Sequence, residues 1–543
     1  MKRKILIMCF ISLIIGCQTN SNDIKWKKFD QSNLIDESKK NINKRLQFKF
    51  IQPLFNKKNK WFEGVEEALR DFDERSYKRL KPLIIERSIP EIQQNILSGN
   101  LTYELLTKFF LYRIRKIEFD NNKFLNSIIS INQNIIKEAK EKDRKKPKSI
   151  YSLYGIPILL KDNINFSNLP TTGGALAFKK NYANDAHVVK NLKASGALIL
   201  GKTNLSEWAY YFCSGCPLGY SAIGGQTLNP YGRKVFESGG SSSGSGVAIA
   251  SNFAPVALGT ETSGSILSPS SLNSIVGMKP TVGLISRSGI IPISSTFDTS
   301  GPMTKNVIDN ALVFNASIGF DPKDPMSKNK MNININEILE ANLEGKKFAV
   351  FKNLINEKLY KESIDIIIEN GGEIIEFEPQ KVDFSGFGKI LDYDMKLDLN
   401  KYIKNYVDNK LKIKNVHDII DFNLQDTIFR SPYGMKRFLG MSKNKISKSE
   451  YLNLRNKLRK NAQIFFFNSL KNDSVDAILS INNYHASFAA AANYPCLTLP
   501  MGYKDNGEPQ NLTLISSSLN EHLLYEIGYA FEKITKKRIP PNL

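Results

Sequence analysis

The chain has 543 residues, 41% of them hydrophobic and 24% charged, a composition ordinary for a globular protein that can bury one large core or two smaller ones and does not point to disorder. Its formal net charge is +22 at pH 7, yet the lysines are spread amid Asn and Ile along the whole length. No zinc-finger spacing, recognition helix or aromatic-basic pattern focuses them on a nucleic acid, which leaves a solvated lysine coat or attraction to an anionic surface.

The first twenty residues, MKRKILIMCFISLIIGCQTN, join a basic start (Lys2, Arg3, Lys4) to an uncharged apolar run from Ile5 to Ile15 and a small residue before a cysteine, Gly16-Cys17. The run is too short for a spanning helix and has the outline of a bacterial export signal. Its ending, Ile14-Ile15-Gly16-Cys17, resembles a lipoprotein processing box, in which the cysteine is acylated and becomes the mature N-terminus. Residues 18 to about 60 are polar and Asn/Lys/Ser-rich, with few apolar positions to bury. The expected organisation is a signal peptide over 1–16, lipidated Cys17 and a polar tether over 17–60, and a folded body over 61–543. Such a protein is anchored to a lipid membrane and sits outside the cytoplasm, in the periplasm or at the cell surface.

Further along, Ser88 opens a capping-box spacing with Pro90 in the first turn, and Ile89, Ile92 and Ile96 share one helix face. Thr102 can cap a second helix carrying Leu105, Leu106, Phe109, Phe110 and Ile114. The charged stretch 138–148 reads as a solvated helix end, and Gly155-Ile156-Pro157-Ile158-Leu159-Leu160 as a short buried strand that delivers Lys161-Asp162-Asn163 at its end. A helix from His187 feeds a strand near 196–201, so helix and strand alternate as in an α/β fold with a parallel or mixed sheet. Beyond about 320 the alternation weakens into Lys/Asn-rich sequence. Buried strands return at 477–481, 497–500 and 512–515, and a last helix runs from about Glu521 to Lys536.

Of five cysteines, only Cys213, Cys216 and Cys496 lie in the body, too few for a disulfide framework or a Cys/His metal site. Cys213 and Cys216 are expected as two thiols, with a disulfide as the next option. No metal and no cofactor is called for.

The chemistry concentrates around SGGSSSGSG (238–246). Strand-forming sequence on one side and an apolar helix-sized segment on the other exclude a flexible linker, and neither phosphate-loop spacing is present. Gly240-Ser241-Ser242-Ser243-Gly244 satisfies a nucleophile elbow with Ser242 as nucleophile, which needs a histidine late in the chain; His485 is the candidate. A second turn, Thr260-Glu261-Thr262-Ser263-Gly264-Ser265, follows one helix and one strand later. Lysine is the alternative base, and Lys161, behind a run of apolar residues, is the lysine whose surroundings look buried. At an ordinary pKa only roughly one lysine in 2,500 is neutral at pH 7, so burial must bring it near neutrality.

These segments resemble the amidase signature family. GGSSSGSGVAIASNFAPVALGTETSGSILSPSSLNSIVGMKP and its continuation to 307 follow the family signature, and GIPILLKDN (155–163) its lysine segment; the resemblance covers roughly 88–320 and 476–540. It implies a large mixed β-sheet covered by helices on both faces, with a signature core at about 150–320; the segment at about 321–475 matches the family poorly and reads as a divergent insertion, either helices around the substrate entrance or a cap. It implies Ser265 as nucleophile, Ser241 as a bridging serine next to a cis peptide bond, Lys161 as base, and an oxyanion hole of the Thr262, Ser263, Gly264 and Ser265 amides. The implied activity is hydrolysis of linear carboxamides, small molecules or C-terminal peptide amides, to a carboxylate plus ammonia or an amine. Two departures stand out: Leu267 replaces the arginine of Gly-Gly-Ser-Ile-Arg, which removes a feature of the tRNA amidotransferase subunit, and Ser263 replaces the aspartate of Asp-Gly-Ser in the bacterial branch that includes peptide amidase. They leave a second reading, a non-catalytic surface binding protein on a decayed scaffold.

Overall fold

Residues 24–329, 331–467 and 475–543 are described in a computed structural model; the expected signal peptide and Cys17 lie outside the described residues. Short apolar runs become the strands of one mixed sheet: β1 (Ile128–Ile131), β2 (Pro157–Lys161), β3 (Leu198–Thr203), β4 (Val256–Glu261), β5 (Val276–Lys279), β6 (Thr299–Thr304), β7 (Lys347–Phe351), β8 (Glu373–Phe377), β9 (Ala477–Ile481), β10 (Cys496–Tyr503) and β11 (Pro509–Ile515). Their order across the sheet is β1-β3-β2-β4-β6-β5-β10-β11-β9-β7-β8. β2 runs parallel to both β3 and β4, while β4 pairs antiparallel with β6. Every residue of β2 is buried, as expected of a central strand that reads as a continuous apolar run.

The helices follow their sequence signals. Ser88 and Glu91 close a reciprocal capping box at the start of Ile89–Leu97, and Thr102 caps Tyr103–Glu118 through the Leu105 amide. The apolar segment after the Gly/Ser stretch is the helix Ser243–Ala250, buried along its whole length and packed on β4. The C-terminal helix Glu521–Thr535 packs on β10. Among the described residues no helix is long and apolar enough to cross a membrane.

Two expectations about organisation need correction. The segment expected as a tether is part of the body from residue 24: Ser32–Lys39 is helical, and Leu46, Phe48 and Ile51 are buried in the main core. Polar groups hold it down as well, since the Ile51 carbonyl accepts the Gln226 amide (2.9 Å) and Asn126 Nδ2 (2.8 Å), and Gln31 Oε1 accepts the Ile51 and Gln52 amides. A few well-placed apolar residues and these backbone bonds suffice where composition alone suggests an unfolded segment. The expected insertion at 321–475 is likewise built into the sheet: β7 and β8 pair in parallel around the helix Lys358–Glu369 and attach to β9. Its helices Phe387–Tyr406, Val416–Leu424 and Lys436–Lys443 share a second apolar cluster with Phe178, Trp208 and Phe212.

Candidate active site

β2 and β4 lie side by side, so their C-terminal ends place Lys161 next to Thr260. The lysine is fully buried; its Nζ donates to Ser241 Oγ (2.8 Å), to Thr260 Oγ1 (2.8 Å) and to the Thr260 carbonyl (3.1 Å). Burial pushes its pKa down to about 7, against a smaller opposing pull from the carboxylates of Asp298 and Glu261. As an ammonium Nζ donates in all three contacts; as a neutral amine it donates its two protons to the Thr260 oxygens and its lone pair faces the Ser241 hydroxyl.

Ser241 sits in a turn that only glycine can build. Gly239 has φ +68°, and a Cβ there would meet the Pro269 backbone at 2.6 Å; a Cβ on Gly240 would meet Ser206 Oγ at 2.7 Å. The Gly240–Ser241 peptide bond is cis, and the Ser241 carbonyl accepts the Ser206 amide (3.0 Å). The next amide, of Ser242, donates to the Ser265 carbonyl (3.1 Å), which draws the two serine turns together at the edge of β4. Ser265 itself is half-buried.

The turn carrying Ser265 is organised by the buried carboxylate of Glu261, which accepts the amides of Gly264 (2.7 Å), Ile266 (2.7 Å) and Leu267 (3.0 Å). Gly264, at φ +90°, supplies the left-handed residue this wrap requires. Of the four amides expected at an oxyanion hole, that of Gly264 is therefore already engaged by Glu261.

The elbow reading of Ser242 does not survive the geometry. Its hydroxyl donates to the Thr260 carbonyl (3.1 Å) and accepts the Thr260 amide (3.2 Å), so it pins a strand end. His485 hydrogen-bonds Ser480 (2.7 Å) and stacks on Phe351 at 3.8 Å, where burial lowers its pKa to about 4. Cys213 and Cys216 are bonded as a disulfide, which overturns the expectation of two thiols, and Cys496 is a buried free thiol.

The two departures from the family pattern have structural explanations. Leu267 is 1% exposed and belongs to the main core, a place where a charge would need a partner. Ser263 Oγ pairs with Ser487 Oγ at 2.8 Å. A carboxylate remains close to the turn in Asp298, which accepts Thr262 Oγ1 (2.5 Å) and the amides of Ile293 and Ser294.

Sequence reasoning named Thr260, Glu261 and Asn163 but gave neither them nor Asp298 a part. Thr260 supplies two of the three acceptors around Lys161, and Asn163 Nδ2 donates to the same Thr260 hydroxyl (2.9 Å). For Thr260, Glu261 and Asn163 the signal was position, at or just past the end of a strand whose other end is apolar; Asp298 stands just before the strand Thr299–Thr304. Beside them opens a cavity of about 170 Å³, lined by Asn163, Thr260, Thr262, Ile291, Asp298 and, from the helix Phe387–Tyr406, Asp398 and Tyr402. No group of His, Cys, Asp and Glu suited to a metal ion occurs among the described residues.

The Amidase family profile matches residues 106–481, well over half of the chain and across the segment expected to diverge. The chain belongs to the amidase family. This amidase is 33% identical over 483 residues to a probable amidase of Arabidopsis thaliana, covering 84% of the chain and 92% of that protein. Among solved structures it resembles an amidase family protein from Bacillus anthracis (34% identity, TM-score 0.84, 90% and 98% of the two chains). It also resembles the peptide amidase of Stenotrophomonas maltophilia (33% identity, TM-score 0.79, 84% and 99%). The amidase is therefore an amide-hydrolysing enzyme with the α/β fold of that family.

Proposed function

We propose that this amidase hydrolyses linear carboxamides, C-terminal peptide amides among them, through an acyl-enzyme on Ser265. Neutral Lys161 takes the proton of Ser241 as Ser241 takes that of Ser265, and Ser265 Oγ adds to the amide carbonyl. The amides of Thr262, Ser263 and Ser265 are the donors available to the oxyanion. Collapse of the tetrahedral adduct breaks the C–N bond, and the departing nitrogen takes its proton back along the same relay. Water, deprotonated by that relay, then attacks the ester and releases the carboxylate and Ser265.

The observation that carries this reading is the Lys161–Ser241 contact of 2.8 Å in a fully buried setting that brings the lysine near neutrality. The likeness to a peptide amidase supports the peptide end of the substrate range. The test is ammonia release from a panel of aliphatic and peptide amides by residues 18–543, with Ser265→Ala and Lys161→Ala alongside. Each substitution should lower kcat by roughly a thousandfold or more; turnover indifferent to both would reject the assignment.

The proposal extends to location. The basic, apolar and Gly16-Cys17 pattern of the first residues supports export and acylation at Cys17, which would hold the enzyme at a membrane with its body outside the cytoplasm. Cys17→Ala should abolish incorporation of labelled fatty acid; unchanged labelling would refute the anchor.

A further inference from the structure

Resting on that reading, turnover depends on where Ser241 sits, and Ser206 lies directly against it. Ser206 is 1% exposed; its amide donates to the Ser241 carbonyl (3.0 Å) and its Oγ accepts the Gly219 amide (2.8 Å). A Cβ on Gly240 would meet that same Oγ at 2.7 Å, so Ser206 also flanks the Gly240–Ser241 peptide. The bond to Gly219 closes the segment 206–219 into a loop whose base is the contact with Ser241.

The loop has an unusual backbone. Trp208, Ala209 and Tyr210 are all left-handed, at φ +52°, +53° and +73°, a conformation that costs free energy in any residue with a side chain and is rarely taken in succession. Such a turn persists only where its surroundings fix it. The Trp208 amide donates to the Gly173 carbonyl (2.9 Å), the Tyr210 amide to the Ser206 carbonyl (3.2 Å), and the Tyr210 hydroxyl to the Cys216 carbonyl (2.9 Å). Cys216 is bonded to Cys213, with Ser214 and Gly215 between them as the exposed tip. Three hydrogen bonds therefore lead from the disulfide to the relay: Cys216 to Tyr210, Tyr210 to Ser206, and Ser206 to Ser241. A bridge with a sequence separation of 3 removes little entropy from the unfolded chain and joins no distant segments, so its effect is local.

We propose that the Cys213–Cys216 disulfide is a positioning element for Ser241: it fixes Tyr210, Tyr210 fixes Ser206, and Ser206 holds the serine within reach of Lys161. The bridge is then also a point of redox control. A dithiol reductant attacks one sulfur as its thiolate, breaks the S–S bond and leaves as its own cyclic disulfide, giving two protein thiols; a disulfide oxidant reverses the exchange. With the bridge open the left-handed turn loses its cross-link, and the enzyme loses turnover while its substrate cavity, lined by other segments, is unchanged.

The test reads ammonia release from N-acetylalaninamide and hexanamide by residues 18–543 with the bridge intact, after dithiothreitol, and after reoxidation with oxidised glutathione, counting thiols and recording circular dichroism at each step. Opening the bridge should lower kcat by about tenfold or more and leave KM within about twofold, and reoxidation should restore kcat. The double variant Cys213→Ser, Cys216→Ser should start at the low rate and not respond to the reductant. Tyr210→Phe, which cuts the path while the bridge stays closed, should lower kcat in the same direction. A reduced, folded enzyme at the full rate, a change confined to KM, a reductant effect that persists in the double variant, or full turnover by Tyr210→Phe would overturn the proposal and leave the amidase reading intact. Loss of the whole fold on reduction would overturn it too, because the bridge would then be a general support. If the reductant does not open the bridge the double variant decides, and if that variant does not fold the reduced wild type decides. No ammonia from either amide with the bridge intact would overturn both readings.

Discussion

Lys161 ties activity and stability to pH in opposite ends of one titration. With its pKa near 7, about half the enzyme carries the neutral base at pH 7 and roughly 1% at pH 5, so kcat/KM should fall about tenfold per pH unit below 7 and level off above 8. The same burial is a cost to the fold. Below pH 7 the lysine is protonated in both the folded and unfolded chains, and the folded state bears the full penalty, on the order of 4 to 5 kcal/mol. From pH 7 to about 10 the unfolded chain binds a proton that the folded one lacks, so stability rises with pH by up to about 1.4 kcal/mol per unit, and above that window the penalty is gone. Lys202, with a pKa near 8, and Glu207, raised to about 8, titrate in the same range. Lys161→Met leaves those groups in place, so the wild-type minus variant difference isolates Lys161. Ammonia-release kinetics from pH 5 to 9, with urea unfolding of both proteins from pH 6 to 10, measure the two effects. A flat rate profile, a limb near pH 10, or a stability difference that does not change with pH would refute the neutral-lysine argument.

Two further substitutions separate competing roles in the serine turns. Ser242→Ala removes the hydroxyl that bridges the Thr260 amide and carbonyl, so it should cost about 1–3 kcal/mol in urea unfolding while kcat falls less than about tenfold; a loss on the order of a thousandfold would restore the elbow reading. Leu267→Arg places a charge at a core position and should cost about 3 kcal/mol or more, read from the same unfolding curves; a fully stable variant would mean the turn has room for the family's arginine.

The parts legible in the sequence are those where a local pattern has a local cause. The capping box at Ser88 and the run Ile156–Leu160 needed no tertiary information to be read, and both are where the pattern puts them. The buried contact between Lys161 and Ser241 was reachable because each stands on a distinctive segment. Glu261 was not, although it organises the Ser265 turn: a carboxylate at a strand end reads as a solvated charge until the three amides that wrap it are seen. The same holds for Gly264, whose amide looked available to an oxyanion on position alone and is committed to that carboxylate.

The larger misreadings, at 24–60 and 321–475, share a physical origin. Composition averages over a segment, but burial needs only a few apolar positions if the backbone between them finds partners. Phe48 and Ile51 sit in polar sequence, yet the Ile51 carbonyl completes bonds to Gln226 and Asn126, and a Cβ on Gly225 would collide with the strap that carries it. Five-residue strands such as Lys347–Phe351 and Glu373–Phe377 leave a faint trace in Lys/Asn/Ile-rich sequence, because half of an edge strand's residues can remain polar; β8 keeps Glu373 and Glu376 exposed. Beyond those strands the helix Phe387–Tyr406 brings Asp398 and Tyr402 to the lining of the cavity shared with Asn163 and Thr260. Lys/Asn-rich sequence far along the chain thus lines the same cavity as Asn163 and Thr260, at the ends of the central strands.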